Sequence, residues 1–301
     1  MWNDNETNID CIDFQYYINA VCRIINDDTL LPCSIGTFGD WGGGKSSLMI
    51  MISERYDSEK DVLVIRFNGW LFEGYEDAKT VLMSSIVDEI AKRRTLTEKA
   101  IKKAAKLLKR IDLMKLGSSA LKYGLGFATL GPAGLAIASA SDAFSKLNSF
   151  DYEKYIKNAE PDVDENLRNS IQDFHKNFED LIGETKLKKV LVFIDDLDRC
   201  SPETIIDTLE AIKLFLFAKN TVFIIGADER LIKYAVRRRF PEIPGDNAEI
   251  GRDYLEKLIQ YPVRIPFLSN IEIETYINLL FSKLYLNEEQ FEKLRKKVFE
   301  E

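Results

Sequence analysis

The chain has 301 residues, which is enough for one large α/β domain with an appendage or for two modest domains. With 46% hydrophobic and 30% charged residues, a packed soluble core is expected. Its formal net charge of −8 excludes a chain that binds nucleic acid through an overall positive charge, so any basic surface must be local. Cys11, Cys22, Cys33 and Cys200 form no Cys-x-x-Cys pair, which argues against structural zinc and favours reduced, buried thiols. The polar, acidic N-terminus lacks the features of a signal peptide, so we expect a cytoplasmic protein.

Strands and helices are predicted to alternate along the chain. Apolar runs predict strands at 33–38, 62–67, 190–194 and 221–226. Helical patterns occur at 9–25, 45–56, 77–94, 152–182, 202–217, 229–240 and 271–301. This alternation predicts a parallel sheet with helices on both faces, a three-layer α/β fold that binds its ligand at the carboxyl ends of the strands.

The clearest motif is a phosphate-binding loop between the first strand and the helix after it. It matches the pattern G-x-x-x-x-G-K-[ST], and the predicted nucleotide-binding residues are Gly39, Asp40, Trp41, Gly42, Gly43, Gly44, Lys45, Ser46 and Ser47. Backbone N–H groups and the helix N-terminus would bind the phosphates of ATP. Lys45 is expected to reach the β- and γ-phosphates, and Ser46 to ligate Mg²⁺.

Acidic residues follow the strand at 190–194. We expect Asp195 to hold Mg²⁺ through water and Asp196 to polarise the attacking water. Asp198 is the alternative for the second role, or it caps the next helix. Asp228 ends the following strand and is a candidate sensor of the γ-phosphate, with capping of the helix at Glu229 as its alternative.

Four motifs in chain order resemble those of the KAP family of P-loop NTPases. The loop is similar to the family's G-D-W-G-x-G-K-[ST], and Phe67-Asn68-Gly69-Trp70 resembles F-N-A-W with glycine in place of alanine. The segments 195–200 and 254–260 resemble D-D-L-D-R-C and Y-L-E-K-[IL]-[IV]-Q. The resemblance implies an ATPase with an extra strand between the phosphate-loop strand and the metal-acid strand. It also implies inserts that are sometimes transmembrane, and an association of bacterial members with phage exclusion and defence.

Several side chains have more than one interpretation. An arginine acting from another subunit would supply charge to the transition state. The candidates are Arg199, Arg230, Arg237, Arg238, Arg239 and Arg252. Arg199 and Arg252 rank first because they lie in the matched motifs. Lys257 is an alternative partner for the acids. Packing is the favoured role for Trp41 and Trp70, and Asn68 could orient water or the acids.

The segment 92–160 is predicted to be a helical insert between the phosphate loop and the metal-acid strand. Its first part, 92–110, is basic and amphipathic, while 123–141 is uncharged and interrupted by Gly131-Pro132. We favour a helical hairpin packed on protein over membrane contact, with nucleic acid as a further alternative partner. Residues 1–270 would form the NTPase core, and 271–301 would begin a helical C-terminal region of a longer protein.

The sequence therefore predicts an Mg²⁺-dependent ATPase whose hydrolysis drives a conformational switch in an assembly. Its expected partners are copies of itself or proteins of the same operon. The alternatives are a nucleotide-bound scaffold with poor hydrolysis, a membrane-associated KAP NTPase and a small-molecule phosphotransferase.

Overall fold

The computed structural model of the chain describes residues 6–73, 78–92, 103, 104, 107, 167–185, 187–216, 218–239 and 247–299. Five parallel strands form one sheet: β1 (Cys33–Phe38), β2 (Val62–Asn68), β3 (Lys189–Asp195), β4 (Thr221–Ala227) and β5 (Tyr261–Arg264). Their order is β2-β3-β4-β1-β5. The predicted three-layer α/β fold is confirmed, as is the extra strand, β4, between β1 and β3.

The described residues form nine helices. They are α1 (Gln15–Asn26), α2 (Lys45–Glu54), α3 (Ala78–Lys92), α4 (Leu167–Thr185), α5 (Pro202–Phe215), α6 (Glu229–Arg239), α7 (Asn247–Leu258), α8 (Asn270–Tyr285) and α9 (Glu288–Phe299). The strands form where runs of Val, Ile, Leu and Phe can be buried on both faces. All seven residues of β4 are buried, as are the five central residues of β3.

The chain divides into two compact units. The first comprises residues 1–74, 188–209 and 219–301, and therefore holds the whole sheet. One of its core clusters packs α1 and α2 against the strands, with Ile18, Val21, Leu48, Ile52, Ile35 and Ile224 among its buried side chains. The sheet edge at the ends of β1 to β4 carries the predicted phosphate loop and acids.

The second unit comprises residues 75–187 and 210–218, so that α5 begins in the first unit and ends in the second. Three buried phenylalanines form its aromatic core. The ring centroid of Phe215 lies 5.4 Å from that of Phe174 and 4.8 Å from that of Phe178. Lys103 forms ion pairs with Asp180 and Glu184 on α4.

Two differences from the predicted elements have local causes. The first helix begins at Gln15 rather than residue 9, because the Asp10 carboxylate accepts the amides of Ile12 and Phe14 and turns the chain there. Periodicity did not predict β5, a four-residue edge strand that contains Pro262. An edge strand tolerates proline because it pairs on one side only.

The N-terminal segment packs against the last two helices. Cys11, Leu279 and Phe291 form a small buried cluster with Ile9, Tyr276, Leu286, Leu294 and Phe299 around it. An Nη1 hydrogen of Arg295 is donated to the backbone oxygen of Asp10 over 3.1 Å. Helices α8 and α9 thus belong to the unit that holds the phosphate loop and are joined to it through the N-terminal segment.

Most of the predicted insert, 92–160, lies outside the described residues, and with it the hairpin and the uncharged run at 123–141. None of the helices that the structure does describe is both long enough and apolar enough to cross a membrane.

Candidate active site

The phosphate loop links β1 to α2 and curls tightly on itself. The amide of Gly43 donates to the backbone oxygen of Asp40 over 3.0 Å. Gly42 and Gly44 have φ angles of 74° and 84°, which side chains other than glycine rarely adopt. These turns follow from the glycine run, and they form the type of backbone concavity in which N–H groups bind anions.

Lys45 is the first residue of α2, and its side chain runs back into the loop. The residue is only 7% exposed. Its Nζ donates to the backbone oxygens of Gly39 and Asp40, both over 3.0 Å, and lies 3.9 Å from Oδ2 of Asp198. The ammonium group is therefore held at the loop mainly by neutral backbone oxygens. A phosphate oxygen, which is charged, is a stronger acceptor and could replace them.

Asp195 ends β3 with a largely buried carboxylate. Burial raises its pKa, against the opposing effects of a hydrogen bond from the Ser46 hydroxyl and of the charge of Lys45. A hydroxyl and a carboxylate side by side are hard oxygen ligands of the type that Mg²⁺ takes. A divalent cation would also compensate the buried negative charge, so the two residues fit the predicted metal site.

Asp196 has both carboxylate oxygens occupied. Its Oδ2 accepts Nδ2–H of Asn68 over 3.0 Å, and its Oδ1 lies 2.9 Å from Nε of Arg199. The backbone of Asp196 is left-handed, with a φ of 54°, and its amide donates to Oδ1 of Asp195 over 2.9 Å. A non-glycine residue in this conformation stores strain, which is common at functional sites.

Asp228 caps α6 and binds an arginine. Its Oδ1 accepts the backbone N–H of Arg230 over 2.9 Å, and the guanidinium bonds both oxygens of the carboxylate. These bonds lower the pKa of Asp228. Nη2 of Arg230 also lies 2.5 Å from Oδ1 of Asp40, so one arginine joins the phosphate loop to the end of β4. The γ-phosphate-sensing role of Asp228 remains a prediction.

The two tryptophans are placed differently from the packing role that the sequence favoured. Trp41 is 77% exposed on the phosphate loop, and Trp70 is 58% exposed on the turn after β2. The turn that carries Trp70 is held by Asn68, whose Oδ1 accepts the amide of Trp70. The packing interpretation is wrong for both side chains, because their backbone segments are short turns at the surface.

The candidate basic residues lie at the surface. Arg199 is exposed and bonded to Asp196, while Arg252 lies on α7 near Asp253 and Glu256. Lys257 is exposed as well.

A cavity of about 500 Å³ brings most of the predicted site together. The predicted residues that line it are Trp41, Gly42, Gly43, Gly44, Lys45, Ser46, Ser47, Asp195, Asp196 and Arg199. Asn68 and Asp198 line it too. Its walls also include residues that the sequence did not indicate, in the N-terminal segment (Glu6, Thr7, Ile9) and near α8 (Leu268, Tyr276). No local motif marks them, since only the fold brings them to the loop.

The sequence matches the KAP family P-loop domain over residues 14–299. The chain belongs to the KAP family of P-loop NTPases. It is also 30% identical over 174 residues to the uncharacterized protein MJ0182 of Methanocaldococcus jannaschii, a match that covers 52% of this chain and 86% of that relative. Membership of the family supports nucleotide binding and nucleoside-triphosphatase activity in general.

Proposed function

We propose that this KAP NTPase binds ATP with Mg²⁺, hydrolyses it, and uses the reaction to switch the conformation of a multi-protein assembly. The observation that carries the proposal is the convergence of Lys45, Ser46, Asp195 and Asp196 on one cavity beside the phosphate loop. A buried cation, a hydroxyl and two adjacent carboxylates are what phosphoryl transfer to water requires.

Each residue has a distinct task in this reaction. Lys45 neutralises charge on the β- and γ-phosphates, while Ser46 and Asp195 would hold Mg²⁺, which supplies further charge to the transferring phosphoryl group. Asp196 accepts a proton from the attacking water. The water oxygen then bonds to the γ-phosphorus as the bond to the bridging oxygen breaks, giving ADP and phosphate.

A nucleotide-bound scaffold with poor hydrolysis is the second candidate. It is favoured by the two contacts that hold the carboxylate of Asp196, because a restrained carboxylate cannot turn freely toward the attacking water. In the ATPase the carboxylate of Asp196 is released from these contacts during the reaction cycle, whereas in the scaffold it stays restrained. Measuring ATP turnover of the chain in its assembly distinguishes the two.

The deciding experiment measures ATP turnover of the purified chain, alone and with the products of its neighbouring genes, over a range of protein concentrations. A site completed between subunits gives a specific activity that rises with concentration. Tight ATP binding without turnover at any concentration, with or without partners, contradicts the ATPase and supports the scaffold.

A trans-acting arginine is tested by mixing two inactive variants. Lys45→Ala chains keep their arginines, and they are expected to restore turnover to Arg199→Ala or Arg252→Ala chains if one of these arginines acts across an interface. Both arginines are exposed, which such a role requires. If neither mixture regains activity, both residues are excluded as trans-acting groups.

We further propose that the assembly acts in defence against phages, which rests on the resemblance to bacterial KAP proteins. The expected result is that cells carrying the intact operon resist infection, while cells with a Lys45→Ala version do not. Equal plaque counts with and without the operon, across a panel of unrelated phages, would remove this role while leaving the ATPase untouched.

A further inference from the structure

The carboxylate of Asp196 is restrained by two side chains that come from different directions. Nδ2 of Asn68, at the end of β2, donates to Oδ2 over 3.0 Å, and Arg199, three residues further along the chain, pairs with Oδ1 over 2.9 Å. These two contacts take one lone pair of each oxygen and fix the orientation of the carboxylate, so that it cannot turn freely toward an attacking water molecule. The structure thus shows Asp196 with both oxygens engaged.

We propose that Asn68 is a positioning residue that restrains Asp196. Hydrolysis starts only when the hydrogen bond from the side-chain amide of Asn68 to this carboxylate is broken. The inference deepens the proposed ATPase function and rests on it. In the restrained state Asn68 touches no reacting atom and acts through Asp196.

The fold places the Asn68 amide firmly. Strands β2 and β3 pair in parallel with Asn68 opposite Asp195, so that the next residue, Asp196, lies within reach. The other end of the amide is fixed as well, because Oδ1 of Asn68 accepts the amide of Trp70 over 2.9 Å. Its orientation is therefore set by the turn at Gly69–Phe72.

That turn lies close against the acidic segment. A Cβ on Gly69 would approach the backbone oxygen of Asp195 and the Cα of Leu197 to 3.0 Å each, tighter than nearly all such contacts. Glycine at this position, where the KAP pattern has alanine, lets the turn come near enough for Asn68 to reach Asp196. A methyl group there would press the turn away from the acids.

Two events would break the bond from Asn68 to Asp196: binding of the γ-phosphate, and movement of the turn by a partner protein. Asn68 lines the cavity that holds the phosphate loop, so the oxygens of a γ-phosphate offer its N–H groups an alternative, more highly charged acceptor. The indole of Trp70, two residues away and 58% exposed, gives a partner protein a surface through which to move the turn. In both cases the carboxylate of Asp196 is released from Asn68 and can turn toward the attacking water.

The first test compares the turnover of Asn68→Ala with that of the unaltered chain. Loss of one restraint should raise kcat by about tenfold or more with little change in KM, because a hydrogen bond to a charged group is lost from the inactive arrangement only. Asn278→Ala, at an exposed asparagine of α8, is the matched control and should change neither. The double variant Asn68→Ala/Asp196→Asn should be as slow as Asp196→Asn alone, since the gain acts through Asp196.

Gly69→Ala is a second variant that leaves Asn68 and the acids intact. It should raise kcat in the same direction as Asn68→Ala if the contact restrains the reaction. A fall in kcat for both variants would instead show that Asn68 supports the productive geometry, and an unchanged kcat would show that the contact is inert. Either outcome overturns the proposal.

A second measurement does not depend on hydrolysis. In a chain whose only tryptophan is Trp70 (Trp2→Phe and Trp41→Phe), a non-hydrolysable ATP analogue with Mg²⁺ should change the Trp70 emission, and ADP should change it less. Saturation is verified separately with a fluorescent nucleotide. Emission that stays constant in the saturated protein overturns the proposal even if ATP is hydrolysed. A clear change in a chain without turnover would contradict the ATPase and leave the γ-phosphate response standing.

Discussion

At the scale of single residues, the site depends on two side chains that are charged and buried together. Lys45 is held by backbone oxygens of the loop, and Asp195 has its pKa raised by burial. Both are incompletely compensated in the free protein, since an ammonium prefers anionic acceptors and a buried carboxylate prefers a cation. In the proposed function, nucleotide with Mg²⁺ would supply the missing partner to each.

Replacing Lys45 by alanine should abolish tight nucleotide binding. The loss of a buried charge from a charged complex typically costs about 2–5 kcal/mol, which is at least about thirtyfold in affinity. Isothermal titration with ATP and Mg²⁺ measures it. Lys60→Ala, at an exposed lysine, is the control and should bind like the unaltered chain. Unchanged affinity in a folded Lys45→Ala protein would contradict the assigned role.

Asp195→Asn and Asp196→Asn should fail in different ways. Because burial raises the pKa of Asp195, its ionised form costs stability above that pKa. The neutral asparagine should therefore leave the free protein at least as stable while the stabilisation by Mg²⁺ and nucleotide is lost, as thermal unfolding with and without ligand will show.

Asp196→Asn should keep that ligand-dependent stabilisation but slow hydrolysis by roughly 10²-fold or more, the contribution of one acid/base group. Asp198→Asn serves as the comparison, because Oδ2 of Asp198 lies 3.9 Å from Nζ of Lys45 but its carboxylate is not hydrogen-bonded to Asn68. If Asp198→Asn is slow and Asp196→Asn is not, the roles of the two acids are exchanged.

Single residues show how far the sequence alone could go. Gly39–Ser46 could be predicted as a phosphate loop because the whole motif is contiguous and each residue has a chemical reason to be there. The bond from Asn68 to Asp196 and the bridge of Arg230 between Asp40 and Asp228 could not. They depend on strand register and on rotamers, which have no signature in a local pattern.

At the scale of elements, the ends of β3 and β4 must approach closely to form the site. A Cβ on Gly226 in β4 would come within 2.5 Å of Oδ1 of Asp195 and would also overlap the sulfur of Met49 on α2. The strand therefore carries glycine where its neighbour carries Asp195, the proposed metal ligand. Close approach, rather than an unusual backbone conformation, is the reason for this glycine.

Gly226→Ala should destabilise the fold by about 1–3 kcal/mol, the typical cost of overpacking a core. It should also weaken Mg²⁺-dependent nucleotide binding, because the new methyl group displaces the carboxylate of Asp195. Gly183→Ala on α4 is the matched control: a Cβ there meets nothing within 4 Å, and the better helix propensity should stabilise by up to about 1 kcal/mol. Urea unfolding measures both. Equal stability of the two variants would contradict the close approach at β4.

The elements differ in how well they could be predicted. The strands β2, β3 and β4 are long apolar runs, so pattern alone located them within a residue or two. The strand β5 was missed because four residues with a proline give no periodic signal. The helix α1 was predicted too long because the side chain of Asp10 binds the amides of Ile12 and Phe14 and holds this segment in a turn, although its apolar spacing is helical. Short or side-chain-determined boundaries are set by tertiary contacts, which a single sequence does not reveal.

At the scale of the first compact unit, its N-terminal segment is part of two structures. It lines the cavity of the phosphate loop with Thr7 and Ile9, and it packs on α8 and α9 through Cys11. A rearrangement of this segment would therefore affect both the nucleotide site and the C-terminal helices. The cluster around Cys11 has far fewer buried side chains than the core beneath the sheet, so it should open at lower cost.

The four cysteines can measure this order of opening. Burial raises the pKa of Cys11, and it raises the pKa of Cys33 to about 11 and that of Cys200 to about 12, so few thiolates form at pH 8 while the protein is folded. We expect the folded chain to react slowly with iodoacetamide, and Cys11 to be labelled at a lower urea concentration than Cys33, which lies in the sheet core. Pulse labelling followed by mass spectrometry of the peptides gives the order.

Cys22 on α1, part of the same core cluster as Cys33, is the internal control and should follow Cys33. Simultaneous labelling of Cys11 and Cys33 would show that the N-terminal segment, α8 and α9 unfold together with the sheet as one cooperative unit.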